Sequence, residues 1–241
     1  MSAERTDIAM RTLLISNSGR PFLAHCMVHV RDFLVGVRRV AFVTAANLYD
    51  EPAYHQRARE ALGAPPPAGC GVEVLHLRCD RGPLATLGEA DALFVGGGNT
   101  YALLERMREA GVLDAIRARV RAGMPYLGAS AGANLAGMNI LTTNDWNVVG
   151  LADFEALGLV PFNVNPHFLE VDPAMAPGSE TREERIREFH TVWSQPVLGI
   201  EEGTLLRVEE GAATVLGRGR VKRFARGDEP RWYAAGERVP V

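Results

Sequence analysis

Cysteine is scarce in this chain of 241 residues: Cys26, Cys70 and Cys79 are all there is. Their irregular intervals match neither a disulfide framework nor a zinc motif. Buried free thiols are the expectation, and a reducing cytoplasm suits them. Long apolar runs are missing as well. No stretch approaches the roughly 20 residues needed to span a bilayer, so no membrane partner is expected. Residues 1–10 carry charges of both signs and no apolar core, unlike a signal peptide. Excess positive charge is also lacking. A formal net charge of −3 offers no electrostatic reason to bind nucleic acid, and the arginines within 218–226 are spread through a hairpin-like region. There is no internal repeat, no low-complexity tract and no cluster with metal-ligand spacing, so neither a metal nor another cofactor is expected.

What is present is a hydrophobic fraction of 47%, ample for a core that needs no covalent staple. The length suits one large domain. Short runs rich in Val, Leu, Ile and Phe at 12–16, 40–44, 72–77, 92–95 and 125–127 alternate with amphipathic stretches. That is the pattern of an α/β fold whose doubly wound, mostly parallel sheet carries helices on both faces. The clearest helical pattern spans 101–121, where Leu103, Leu104, Met107, Leu113, Ile116 and Val120 recur near helical spacing. Beyond Gly199, Glu-Gly, Arg-Gly and Gly-Asp turns separate short runs and predict an antiparallel hairpin or two. The expected organisation is a single domain over 1–241 with a C-terminal antiparallel β hairpin region.

In open sheets of this kind, sites form at the carboxyl ends of strands. Two of those ends are unusual. One runs from Val95 into Gly96-Gly97-Gly98-Asn99-Thr100, the other into Gly128-Ala129-Ser130-Ala131-Gly132. Gly-x-Ser-x-Gly at a strand-to-helix junction is the pattern of a nucleophile elbow, in which the serine needs small neighbours to tolerate a tight backbone. The Ser130 hydroxyl would face the first free N–H groups of the next helix, where positive potential favours an oxyanion. The triple glycine lets backbone approach a ligand closely, so Gly98 and Ala131 are the candidate oxyanion donors. A phosphate loop fits poorly, because no Gly-Lys-Ser/Thr follows. Asn99 and Thr100 also make a good helix N-cap.

An activated serine needs a base, nearly always histidine, and a third group to orient it. Six histidines compete. His25 and His29 on the first helix, His55 on the second and His190 on a late one have ordinary helix-face explanations, while His76 ends a strand and stays open as a candidate base. His167 stands apart in Asn163-Val164-Asn165-Pro166-His167-Phe168, after a strand-like run and a restricting proline. The acid is Asp145 in Thr142-Thr143-Asn144-Asp145 or Glu202 in Gly199-Ile200-Glu201-Glu202-Gly203. Spacing does not choose between them.

Together these motifs, with Glu180-Thr181-Arg182-Glu183-Glu184-Arg185-Ile186, resemble peptidase E, the α-aspartyl dipeptidase, in order and in approximate separation. The resemblance runs from the first strand to the end of the chain. It implies a fold like that of the class I glutamine amidotransferases, with serine in place of cysteine at the elbow. It also implies a metal-independent serine exopeptidase that removes an amino-terminal aspartate from Asp-X dipeptides through an acyl-enzyme. By motif, Ser130 is the nucleophile and His167 the base. The acid is Asp145 or Glu202, both retained, with a slight lean to Asp145. Arg182 is the group that holds the substrate's aspartate carboxylate, although on sequence alone it reads as half of a helix-face ion pair. Asn99 and Thr142 would add neutral hydrogen bonds to the bound residue. The expected partner is thus a small peptide, and a homodimer is admitted. Ala129 before the nucleophile and Trp146-Asn147 after Asp145 depart from the family's pattern. The alternatives are an isoaspartyl or cyanophycinase-like serine hydrolase and a non-catalytic ligand-binding protein on the same scaffold.

Overall fold

Five parallel strands form one side of an eight-stranded sheet in the structure, a computed structural model that describes residues 10–170 and 178–241. They are β1 (Arg11–Ile15), β2 (Arg39–Val43), β3 (Glu73–Leu77), β4 (Ala92–Val95) and β5 (Tyr126–Ala129), side by side in the order β1-β5-β4-β2-β3. All four residues of β4 and of β5 are buried, which is why these strands read as unbroken apolar runs. Alternation still decides which face each side chain covers. Leu14, Val43, Val95 and Tyr126 join the core on one face, and Leu13, Phe42, Phe94 and Leu127 join the core on the other. Helices α1 (Met27–Phe33) and α2 (Glu51–Gly63) close the second face through Val30, Phe33, Ala58 and Leu62. The first face is closed by α3 (Pro83–Glu89), α4 (Thr100–Glu109), α5 (Leu113–Arg121) and α6 (Ala131–Leu135).

The helical pattern at 101–121 is two helices, not one. Gly111 takes φ 65°, its N–H donates to the Arg108 carbonyl, and the Val112 N–H donates to the Met107 carbonyl. This is a Schellman close, which needs a residue at ease in the left-handed region. The apolar stripe continues across the break because Leu113, Ile116 and Val120 pack in the same core as Leu103 and Met107. Periodicity alone therefore hides the interruption.

The chain's last third is more divided than the expected hairpins. Strands β8 (Thr204–Glu209) and β9 (Ala212–Gly217) form a hairpin through Glu210 and Gly211, both at positive φ, as a type I′ turn requires. With β12 (Arg238–Val239) they extend the main sheet antiparallel beyond β1. A second sheet is built from β6 (Asn163–Pro166), β7 (Val197–Ile200), β10 (Val221–Phe224) and β11 (Arg231–Tyr233) in the order β11-β10-β7-β6. Within it β6 and β7 are parallel, and the long connection between them carries α7 (Arg182–Val192).

All three cysteines are free. Burial pushes the Cys26 thiol up to about 12, and those of Cys70 and Cys79 to about 11, so they are poor nucleophiles at neutral pH. Among the described residues no helix is long and apolar enough to cross a membrane.

Candidate functional site

Ser130 sits where β5 turns into α6, at φ 52° and ψ −110°. An L-residue holds such a conformation only when its surroundings compel it. They do so here: the Ser130 N–H donates to the Ile15 carbonyl at 2.9 Å, and its own carbonyl accepts from Ala133 at 2.8 Å. The flanking glycines are required by contact distances. A Cβ on Gly128 would lie 2.3 Å from the Gly132 carbonyl oxygen, and one on Gly132 would lie 2.1 Å from that of Val95. Gly132→Ala should therefore force α6 off β4 and cost about 3 kcal/mol. A urea midpoint equal to the parent's would show that the elbow has room to spare.

The Ser130 Oγ is 2.8 Å from His167 Nε2. His167 lies immediately beyond β6 with φ 55°, and its other ring nitrogen, Nδ1, is hydrogen-bonded to Glu202 Oε1. Glu202 occupies the turn between β7 and β8. Because β6 and β7 are parallel and adjacent, with Pro166 opposite Ile200, the residues that leave their carboxyl ends emerge side by side. The pair is half-exposed, at 35% for the histidine side chain and 51% for the glutamate.

Asp145, the acid favoured on sequence, has its contacts elsewhere. Its Oδ2 accepts from the Thr100 N–H at 2.7 Å, the Thr100 hydroxyl at 2.6 Å and the Thr143 hydroxyl at 3.1 Å. That places a carboxylate on the amino end of α4, where unpaired N–H groups and the helix dipole favour negative charge. Asn99 caps the same helix by accepting from Ala102 at 3.0 Å, and its Nδ2 donates to the Trp146 carbonyl at 2.9 Å. The N-cap reading of Asn99 thus holds.

The glycine loop leads into α4. Gly98 is at φ 142°, and a Cβ there would meet the Ala46 carbonyl oxygen at 2.1 Å. Among the described residues its N–H has no acceptor. The Gly97 N–H, by contrast, is taken by the Tyr54 hydroxyl at 2.8 Å. A Cβ on Gly97 would be 3.0 Å from Ser130 Cβ, so this loop lies directly against the nucleophile. Ala131 opens α6, where an N–H has no intrahelical acceptor.

Arg182 begins α7 after a capping box: Thr181 Oγ1 accepts from the Glu184 N–H, and the Glu184 carboxylate accepts from the Thr181 N–H. Thr-x-x-Glu ahead of a helix is the sequence form of that device. The Arg182 guanidinium donates to the Pro166 carbonyl at 3.2 Å and to the His167 carbonyl. Thr142 is buried, with its hydroxyl on the Val164 carbonyl at 2.8 Å. A cavity of about 360 Å³ is lined by Thr142, Asn144, Asn165, Arg182 and Phe189 among others, but not by Ser130 or His167. Candidate substrate contacts and candidate catalytic groups therefore meet at the end of β6 from two sides.

Among the described residues no other histidine is hydrogen-bonded to Ser130 or Glu202. His25 precedes α1 instead of lying on it; burial holds its pKa below the usual value despite the nearby Glu202. His29 is on α1. His55 and His76 stack with ring centroids 4.4 Å apart, and burial, then His55, lowers His76. His190 Nε2 bonds the Gln195 carbonyl at 3.1 Å.

Sequence reasoning missed the polar braces. Asn144 Nδ2 donates to the Pro166 carbonyl at 2.9 Å, and Asn165 Nδ2 to the Thr142 carbonyl at 2.8 Å. Ser16, at the end of β1, has its hydroxyl on the His167 N–H at 2.9 Å. A polar residue closing an apolar strand was the available signal, since buried polar groups are nearly always paired.

The chain is similar to known proteins over most of its length. Peptidase family S51 matches residues 12–216. A Streptomyces coelicolor protein named Peptidase E is 46% identical over 230 residues, covering 94% of this chain and 92% of its own. A Drosophila melanogaster protein named Probable alpha-aspartyl dipeptidase is 43% identical, covering 90% of each. The solved structure of a peptidase from an acI-B1 Actinobacterium superposes with a TM-score of 0.73 over 98% of both chains at 17% identity, a likeness that speaks to the fold alone.

Proposed function

The chain belongs to peptidase family S51, and from that premise we propose that it is a serine exopeptidase hydrolysing dipeptides with an amino-terminal aspartate. One observation carries the chemistry: a continuous hydrogen-bonded row runs from the Ser130 hydroxyl through both ring nitrogens of His167 to the Glu202 carboxylate. Ser130 attacks the scissile carbonyl while His167 Nε2 takes its proton. Glu202 holds the imidazole in the tautomer that can accept it and stabilises the imidazolium formed. The N–H groups of Gly98 and Ala131 receive the oxyanion. His167 then returns the proton to the departing amine, and water, activated by the same nitrogen, hydrolyses the acyl-enzyme. Asp145 is assigned to bracing the amino end of α4 and, with it, the glycine loop. Asn99, which caps α4, is assigned to the same bracing, and Thr142, whose hydroxyl donates to the Val164 carbonyl, to bracing β6.

The relatives' names, with the resemblance, support aspartate as the amino-terminal residue. Arg182 is the residue we assign to its β-carboxylate, because its guanidinium sits at the His167 carbonyl and a planar fork pairs with a carboxylate through two parallel bonds. The test is a hydrolysis screen over Asp-X, Asn-X, Glu-X and isoaspartyl dipeptides with parent and variants. Arg182→Lys keeps the charge but loses the fork, so kcat/KM for Asp-X should fall on the order of 10²-fold, equivalent to ~3 kcal/mol. Arg182→Met should erase most of the preference for Asp-X over Asn-X, with both slow. A Met variant that keeps the parental preference would show that another cation builds the pocket. Faster cleavage of isoaspartyl than of Asp-X peptides by the parent would move the assignment to the isoaspartyl hydrolases.

A further inference from the structure

The nucleophile belongs to one sheet and its base and acid to another. Ser130 follows β5 in the main sheet, whereas His167 and Glu202 follow β6 and β7 in the second, and neither β6 nor β7 pairs with any strand of the main one. Backbone ladders alone therefore do not set the distance between Ser130 and His167. We propose that Ser16 and Asn17, at the carboxyl end of β1, are positioning residues that hold base and acid in register with the nucleophile. The inference rests on the Ser130–His167–Glu202 reading.

Three consecutive residues at that strand end reach all three groups. The Ile15 carbonyl accepts from the Ser130 N–H at 2.9 Å. The Ser16 hydroxyl accepts from the His167 N–H at 2.9 Å and donates to the Ile200 carbonyl at 3.0 Å. The Ser16 N–H donates to the Thr204 carbonyl at 3.0 Å, and Asn17 Oδ1 accepts from the Gly203 N–H at 2.9 Å. Ile200, Gly203 and Thr204 are the two feet of the turn that carries Glu202. A hydroxyl suits this joint because one small atom both accepts and donates, and Ser16 is fully buried, where a lost hydrogen bond is costly. His167 also needs the anchor for its own conformation: at φ 55° its backbone is strained and its N–H lies beyond the β6 ladder. Loosening Ser16 would free the imidazole to move, and displacement of a catalytic group by about 1 Å can cost on the order of 10²-fold.

The experiment measures kcat and KM for an Asp-X dipeptide in Ser16→Ala, Ser16→Thr, Asn17→Ala and Thr12→Val. Thr12 is the control: it is fully buried on the same strand, and its hydroxyl has no partner among the described residues. Ser16→Ala is expected to lower kcat by about 10- to 100-fold with KM within about threefold. Ser16→Thr, which keeps the hydroxyl, should recover most of that loss, Asn17→Ala should lower kcat roughly 10-fold, and Thr12→Val should match the parent. In a Glu202→Gln background the Ser16→Ala substitution should cost little more, since members of one catalytic unit are not additive. A parental kcat in Ser16→Ala, or a loss fully additive with Glu202→Gln, would overturn the proposal. Should Ser16→Ala fail to fold, Asn17→Ala at its half-buried position carries the test, and a parental kcat there overturns it. Ser130→Ala separates the two readings. If that variant is dead while Ser16→Ala is parental, only this inference fails; if Ser130→Ala is active, the catalytic reading itself fails.

Discussion

Ser130→Ala is expected to lower turnover of Asp-X dipeptides by about 10⁵-fold while leaving the urea midpoint near the parental value. The loss is large because, in the mechanism proposed, the hydroxyl is the atom that forms the acyl bond. Stability should be spared because, among the described residues, the Oγ has one hydrogen-bond partner, His167 Nε2, and the strained backbone of the elbow is held by main-chain bonds that alanine keeps. His167→Ala should be comparably damaging. Combining the two should cost little beyond either alone, since a nucleophile without its base and a base without its nucleophile fail in the same step. A serine-directed phosphonate should label the parent and not the Ser130→Ala variant. Residual turnover within about tenfold of the parent, or additive losses in the double variant, would mean that Ser130 and His167 do not act as one unit.

Glu202→Gln is expected to lower kcat by about 10³- to 10⁴-fold with little change in KM. The amide is close in shape to the carboxylate, so packing is preserved. What changes is the hydrogen bond at Nδ1: an amide can donate to it, which places the ring proton on Nε2, where it can no longer receive the serine's. Asp145→Asn should behave differently. Its carboxylate accepts three hydrogen bonds at the start of α4, so the amide should weaken a charge-assisted cap at about 1–2 kcal/mol. The accompanying fall in kcat should be about tenfold, transmitted through the glycine loop. Measuring kcat and the urea midpoint of both variants decides the acid. A greater kcat loss in Asp145→Asn than in Glu202→Gln would exchange the two roles.

The difference between these two acids marks where reading the chain stops. Ser130 was legible because an elbow is a local device, in which five consecutive residues must satisfy a tight turn and two close backbone approaches. The strands of the parallel core were legible for a similar reason, since a strand buried on both faces must be apolar throughout. The capping box that starts α7 is local too. The break at Gly111 is not legible because the apolar stripe on either side of it faces the same core, and periodicity registers the face, not the turn between.

What sequence determined by itself, then, is the class of sheet, the elbow with its serine, and a short set of partners that included His167 and both acids. Tertiary structure decided which acid meets the imidazole. Asp145 and Glu202 are equally good carboxylates, and Asp145 is the nearer to His167 along the chain. Glu202 is at Nδ1 because β7 pairs in parallel with β6, putting Ile200 opposite Pro166, whereas Asp145 is drawn to the amino end of α4 by the Thr100 N–H. Tertiary structure likewise divided the late strands between two sheets and gave Ser16 the joint between them. Strand pairing joins segments separated by whole helices, and its free energy comes from the partner's edge, of which a run of residues carries no trace until the chain has folded.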